Sequence, residues 1–287
     1  IYQGKDAKGD FLIRMRSPKT GKQQVYIKAP DALFLTEHKF SWPQNPPGFC
    51  MQLRKHLTNA RLVSIEQKDF ERIIIMQFEK GPIKWTLLIE LFSKGNIVLV
   101  NEENLIRGVM DLQRWKDRTL RVNAAYEFPP SQENTPELSV EQLEELFLKA
   151  NKELVKFCAT GLGLGGRYAE ELVARTSLDK NKTELNKEEF HLLHEKLQSL
   201  FQEEIKPVIK GEATTPFSIL AWDDAKEIDN FSLAVERLIV GKKIELVEKG
   251  STEEVTKQTN KFQKSHSIVF VPFRAYVSIS PINYFRY

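Results

Sequence analysis

The run Gly161-Leu-Gly-Leu-Gly-Gly-Arg-Tyr-Ala-Glu-Glu171 constrains this chain more than any other segment. Gly161, Gly163 and Gly166 satisfy G-x-G-x-x-G, the dinucleotide fingerprint. That fingerprint works only where a β-strand hands over to a helix, because the pyrophosphate sits at that junction. Here Leu143, Leu146, Phe147, Ala150, Leu154 and Phe157 precede it at helical spacing on one face. With a helix and no strand feeding the loop, the dinucleotide reading is poor. A glycine hairpin between two helices fits better, with Gly163 and Gly165 adopting φ > 0 and a second helix over Arg167–Thr176. Bare amides at the start of that helix suit a phosphate, as in helix–hairpin–helix nucleic-acid modules. A tight turn with no ligand explains the same residues, and both readings stand.

Charge is unevenly spread. The net charge is only +3, but residues 1–28 carry seven Lys/Arg against two Asp. Residues 107–121 carry five against two, whereas 133–153 is mainly acidic. Such a split suits one face for a polyanion and one for water. A hydrophobic content of 41% and a charged content of 28% over 287 residues describe a soluble globular chain with room for two cores. Cys50 and Cys158 lie far apart in apolar helical contexts and read as buried thiols in a reducing, cytoplasmic compartment. No Cys/His group has metal-ligand spacing, and His191 and His194 read as surface residues. The chain begins at Ile1 without a methionine, so upstream residues are expected. Pro272, Arg274, Pro281 and Arg286 argue against a membrane span in the apolar stretch 268–287.

Strands are expected at 11–16, 23–28, 61–67, 72–78, 84–91, 97–100 and 105–109, with a helix over 48–59. Lys80-Gly-Pro82, Lys94-Gly-Asn96 and Asn101-Glu-Glu-Asn104 punctuate the hairpins. Pro129, Pro130 and Pro136 mark a linker, and Ser139-x-x-Gln142 a capping box. From there the chain reads as helical to Ile205, with Phe190, Leu193, Leu197, Leu200 and Phe201 as the last core stripe. A strand near Phe217–Trp222 and a helix near Phe231–Ile239 follow. The organisation is therefore a β-rich domain at 1–130, a helical hairpin domain at 137–205 and a mixed segment at 206–245 packing on both. Residues 246–287 read as the start of a coiled coil with an atypical tail.

Three segments in order resemble one family. They are Asn45-Pro-Pro-Gly-Phe-Cys-Met-Gln-Leu-Arg-Lys-His-Leu57, Leu91-Phe-Ser-Lys-Gly-Asn-Ile-Val-Leu99, and the glycine run Gly161–Glu171. The chain resembles the NFACT family over about residues 1–245. This family contains the NEMF-type and RqcH ribosome quality-control factors, historically labelled fibronectin- or fibrinogen-binding protein A. The second segment and the short loops are closer to archaeal than to bacterial members.

The resemblance implies an α+β fold. Its β-sandwich would be similar to the N-domain of formamidopyrimidine-DNA glycosylases, and its helical part to their helix–two-turns–helix, where Gly163, Gly165, Tyr168, Ala169 and Glu171 match. The amino-terminal proline–glutamate of glycosylase chemistry is not a feature of the family, so no glycosylase activity is implied. The resemblance also implies a cytoplasmic protein that binds the obstructed large ribosomal subunit and positions tRNA for mRNA-independent alanine tailing of stalled chains. The chemistry would be the ribosome's, with no catalytic residue, metal, cofactor or small-molecule substrate of the protein's own. Two departures stand out. Ser93 and Lys94 occupy the positions where many active members carry Asp-Arg, and the tail after Lys264 has no counterpart. An extracellular-matrix adhesin and a DNA-binding module on the glycosylase-like fold are the alternatives; preference for tRNA over duplex DNA separates the last.

The candidate RNA-binding residues form several groups. Arg16, Lys19 and Lys22 share a hairpin tip. Lys55 and His56 follow Arg54, which serves equally well as a contact or as an internal pair. Ser93, Lys94 and Asn96 combine turn position with the family block. Arg114 and Lys116 flank Trp115 and, with Arg118, interleave cations with an aromatic as in single-strand RNA stacking sites; a buried ring between surface cations is the commoner arrangement and the expected one. Gly163 and Gly165 complete the set, while Phe157 and Tyr168 are expected in the core.

Overall fold

The computed structural model describes residues 1–4, 8–17, 21–116, 118–130 and 133–248, the last eight for backbone only. Four strands, β1 (Tyr2–Gln3), β2 (Asp10–Ser17), β3 (Gly21–Lys28) and β4 (Ala32–Leu35), pair in sequence order as an antiparallel sheet. Helix α1 (Gly48–Leu57) follows, then a second antiparallel sheet, β5 (Arg61–Gln67), β6 (Ile73–Lys80), β7 (Ile83–Glu90), β8 (Asn96–Asn101) and β9 (Ile106–Val109), also in sequence order. A short hairpin, β10 (Gln113–Arg114) and β11 (Thr119–Leu120), stands at one end.

The apolar runs of β6 to β8 are continuous rather than alternating because both faces of that sheet are covered. Ile74, Met76, Leu87, Ile89, Ile97 and Leu99 pack with Phe11, Ile13, Val25 and Ile27 of the first sheet and with Leu53 and Leu57 of α1. Ile73, Leu88, Val98 and Val100 pack on the opposite side with Leu120 and Tyr126. A strand buried on two sides loses the period-2 pattern and reads as an uninterrupted hydrophobic block.

The helical part comprises α2 (Val140–Ala150), α3 (Leu154–Thr160), α4 (Gly165–Thr176) and α5 (Lys187–Phe201). Ser139 caps α2 through the expected box with Gln142. The single helix expected across Leu143–Phe157 is in fact two. Asn151, at φ 46°, takes the left-handed conformation that ends α2. Leu143, Phe147, Leu154 and Phe157 nevertheless share one core with Tyr168, Leu172 and Leu193. Residues 177–186, read as helical from sequence, form a connection between α4 and α5.

The strand expected near Phe217–Trp222 is absent from those residues. Strands form instead at β12 (Val208–Lys210), β13 (Ala213–Thr215) and β14 (Lys226–Glu227). Phe217 and Ile219 turn into the helical core, where side-chain burial outweighs their strand propensity. Buried Glu171 accepts a hydrogen bond from the Leu220 amide at 2.7 Å and pairs with Arg175 at 2.7 Å, clamping this segment to α4. Helix α6 (Phe231–Glu248) then lays Val235, Ile239 and Val240 on Leu12, Tyr26 and Phe34, the outer face of the first sheet. Apart from the last turn of α6, the coiled-coil and tail region 246–287 lies outside the described residues. No helix among the described residues is long and apolar enough to cross a membrane.

Candidate nucleic-acid interface

The turn between β7 and β8 carries Ser93 and Lys94 at one end of the sandwich. Both are exposed, and Ser93 sits at φ 54°. Gly95 makes the turn possible. Its φ is 70°, and a Cβ there would lie 2.8 Å from the Pro30 nitrogen and 2.9 Å from its Cα. The turn is thus seated directly on the backbone between β3 and β4, at a spacing only glycine allows.

Asn96 corrects the sequence reading. It is fully buried, and its amide is committed to the fold. Nδ2 donates to the Asp111 carbonyl at 2.8 Å, while Oδ1 accepts from the Ile97 and Asp111 amides at 2.9 and 3.2 Å. Three of the four hydrogen bonds available to an Asn amide are spent internally, so Asn96 locks the turn and does not face a ligand.

Beyond Asp111, which pairs with Lys8 at 3.2 Å, the chain enters the β10–β11 hairpin. Gln113 Nε2 donates to the Gly95 carbonyl at 3.4 Å and ties hairpin to turn. Arg114 and Lys116 are exposed. Trp115 overturns the expectation of a buried ring, being 42% exposed, and Leu112, three residues earlier, is 74% exposed. The buried group is Arg118. Its guanidinium pairs with the Glu90 carboxylate, and its Nε donates to the Glu127 carbonyl at 2.6 Å. The Tyr126 hydroxyl donates to the same Glu90 oxygen at 2.9 Å, and burial together with that carboxylate raises the phenol pKa. The inversion has a sequence signal. Arg118 and buried Leu120 are two apart on one hairpin arm, the spacing that places side chains on the same side.

The other candidates lie elsewhere. Arg16 and Lys22 are exposed cross-strand partners at the far end of β2 and β3 from Asp10, roughly 20 Å along the strand. Lys19 falls outside the described residues. Arg54 is used internally: its Nε donates to the Ile1 carbonyl at 2.7 Å and its guanidinium stacks over Tyr2. Lys55 is exposed, and His56 packs on Trp85 with ring centroids 4.2 Å apart.

Lys55 and His56 line a groove with Arg107, Asn101 and Glu103, with exposed Ile83 at its edge. Trp85 pairs with Asn101, whereas Glu90 pairs with Asn96, so this groove and the Lys94 turn occupy opposite ends of β8, roughly 17 Å apart. Burial, reinforced by Lys55, Lys80 and Arg107, lowers the His56 pKa below the ordinary histidine value. Glu102 and Glu103 also line the groove.

Gly163 and Gly165 take the expected positive φ, 67° and 71°. Open space surrounds Gly165 and Gly166, and α4 starts without a side-chain cap, while Leu162 and Leu164 anchor the hairpin in the core. Phe157 and Tyr168 are in the core. His194 is half-buried rather than a plain surface residue, its ring nitrogen bonded to the Leu138 carbonyl at 2.8 Å. Cys50 and Cys158 are free and buried, and burial pushes the Cys158 thiol up to about 12. Among the described residues no group of three or more His, Cys, Asp or Glu is placed to hold a metal.

A sequence profile describing the NFACT N-terminal and middle domains matches residues 1–264. The chain is 34% identical to the archaeal Rqc2 homolog aRqcH of Methanocaldococcus jannaschii, over 68% of this chain and 30% of that protein. It is 26% identical to the human ribosome quality control complex subunit NEMF, over 89% of this chain and 27% of that protein. The chain therefore spans less than a third of the length of either relative. In three dimensions it is similar to the N-terminal part of a fibronectin/fibrinogen-binding protein from Streptococcus suis. That likeness has a TM-score of 0.66 at 21% identity, over 82% of this chain and 90% of that one. A fibrinogen-binding protein from Staphylococcus aureus gives 0.67 at 17%, over 83% and 91%. Identities this low carry the fold and nothing more.

Proposed function

The chain belongs to the NFACT family, and from that premise we propose that it is the RNA-binding part of a ribosome quality-control factor. In this reading it binds tRNA and the obstructed large ribosomal subunit in the cytoplasm. It positions the tRNA so that a stalled nascent chain is extended, by alanine, without mRNA. It acts by placement and not by chemistry, so no enzymatic residue is assigned. Its sandwich would correspond to the glycosylase N-domain and its Gly163–Gly165 hairpin to a helix–two-turns–helix, without glycosylase activity.

The observation that carries the proposal is the Ser93–Gly95 turn. An exposed Lys94 is mounted on a backbone fixed by Gly95 against Pro30 and by Asn96 against Asp111, and it lies in the block that resembles the family's tailing motif. The braced hairpin beside it adds Arg114 and Lys116. Lysine and arginine on a rigid support give phosphate contacts that set position rather than sequence. Lys94 retains the motif's positive charge while Ser93 lacks its carboxylate, so binding is expected to be kept and tailing to differ.

The exposed turn and hairpin cations Lys94, Arg114 and Lys116 set the scale. If each neutralises one phosphate, log affinity falls with log salt at a slope of about −2, or roughly 16-fold between 50 and 200 mM. The test is binding of total tRNA and of a DNA duplex across that salt range, with wild type and Lys94→Glu. Preference for tRNA, a steep slope and a weakened variant support the reading. Equal or tighter duplex binding moves the assignment to a DNA module.

A further inference from the structure

Trp115 is an indole that the fold holds in water beside cations. Its backbone is fixed, since the Trp115 amide donates to the Arg118 carbonyl at 2.8 Å and the flanking strands pair Gln113 with Leu120 and Arg114 with Thr119. The Arg118 guanidinium sits 5.4 Å from the indole centroid and 5.0 Å from that of Tyr126, held from below by Glu90 and the Glu127 carbonyl. Part of the ring is therefore packed on an immobile cation while 42% of the residue stays exposed. Arg114 and Lys116, its neighbours on either side, are both exposed.

An exposed aromatic on a braced mount, flanked by cations, has the composition of a single-strand nucleic-acid subsite. Every base offers a π face, and stacking on an aromatic ring tolerates any sequence while the cations hold the backbone. We infer that Trp115 is a stacking platform for one unpaired base of bound RNA, with Arg114 and Lys116 on the adjoining phosphates. The inference rests on the RNA-binding reading and deepens it by naming single-stranded RNA, such as a loop or end of tRNA, as what this hairpin grips. A protein partner covering Leu112 and Trp115 is the competing occupant. Lys116 beside the ring favours the polyanion, because lysine is depleted at protein interfaces whereas arginine and tryptophan are not.

The experiment titrates the protein with an unstructured RNA oligonucleotide and with an abasic oligonucleotide of the same length, reading tryptophan fluorescence and affinity. The chain has four tryptophans, so Trp115→Phe identifies the signal from this one. The wild type is expected to quench with the RNA and not with the abasic strand, and Trp115→Phe to lose the quench while keeping affinity within about threefold. Trp115→Leu, which keeps apolar bulk without a ring, is expected to weaken RNA binding by about 5- to 150-fold and leave the abasic strand unaffected. If Trp115→Leu fails to fold, the quench, its loss in Trp115→Phe and the abasic comparison still decide. RNA binding that needs Lys94 but is indifferent to Trp115 and to the presence of bases overturns the stacking inference and leaves the RNA reading standing. No RNA binding at all overturns both.

Discussion

Replacing Arg118 with methionine tests whether the Lys94 end of the sandwich is braced as described. Arg118 and Glu90 are 7% and 2% exposed in their side chains and form an ion pair. Methionine fills much of the same volume but leaves the Glu90 carboxylate buried, with the Tyr126 hydroxyl still donating at 2.9 Å. Removing one partner of a buried pair costs about 3–5 kcal/mol, because the other charge stays desolvated. For a chain of this size each kcal/mol shifts the midpoint by about 2–4 °C, so a fall of about 6–20 °C is expected. Circular dichroism melts and urea unfolding of wild type, Arg118→Met and the Glu90→Leu/Arg118→Met pair measure it. The double variant removes both charges but leaves the buried Tyr126 hydroxyl without its acceptor, so it is expected to recover only part of the loss. A single variant within about 1 kcal/mol of wild type, or a double variant no better than the single, would refute the reasoning.

Gly95→Ala combines a left-handed φ with overlap on Pro30. It is expected to cost about 2–5 kcal/mol in urea unfolding and to weaken tRNA binding with it. Lys80→Met removes one of the cations that lower the His56 pKa, so the ring-proton NMR titration should move up towards about 6.5; an unchanged or lower value contradicts that electrostatic assignment. With a folded-state pKa below the unfolded one, the unfolded chain binds more protons between the two values. His56 therefore costs stability as pH falls below about 6.5, and thermal midpoints of wild type against His56→Gln should show that slope flatten. Glu171→Ala leaves Arg175 and the Leu220 amide without their shared carboxylate. Arg175 keeps Glu203 at 3.4 Å, so a loss of about 1–3 kcal/mol is expected, with residues near Leu220 gaining amide exchange first.

Much of the architecture was legible because local signals agreed. Gly, Pro and Asn punctuation bracketed the runs that became β5 to β9, and the Ser139–Gln142 box placed the start of α2. What failed depended on long-range partners. The stripe from Leu143 to Phe157 keeps one face whether or not the helix breaks, so periodicity could not reveal the turn at Asn151. Phe217 to Trp222 has strand-forming residues, but a helical core claims their side chains.

The site misread for the same reason. Asn96 carries a turn residue's signature, yet its amide is consumed by Asp111, fifteen positions on. Arg118 counted as surface charge because nothing local shows a buried carboxylate 28 residues earlier. Lys94 needed only its turn, and the structure leaves it exposed where the sequence put it. The cations grouped as candidates are distributed over separate ends of the sandwich, which a linear charge count cannot separate.

The most direct test of the account is the affinity of the chain for tRNA between 50 and 200 mM salt, measured for wild type and Lys94→Glu side by side. A log–log slope near −2 is expected for wild type, and for the variant at least tenfold weaker binding with a slope shallower by about one. Equal affinities and equal slopes for the two proteins would contradict the claim that the Lys94 turn is where RNA is held.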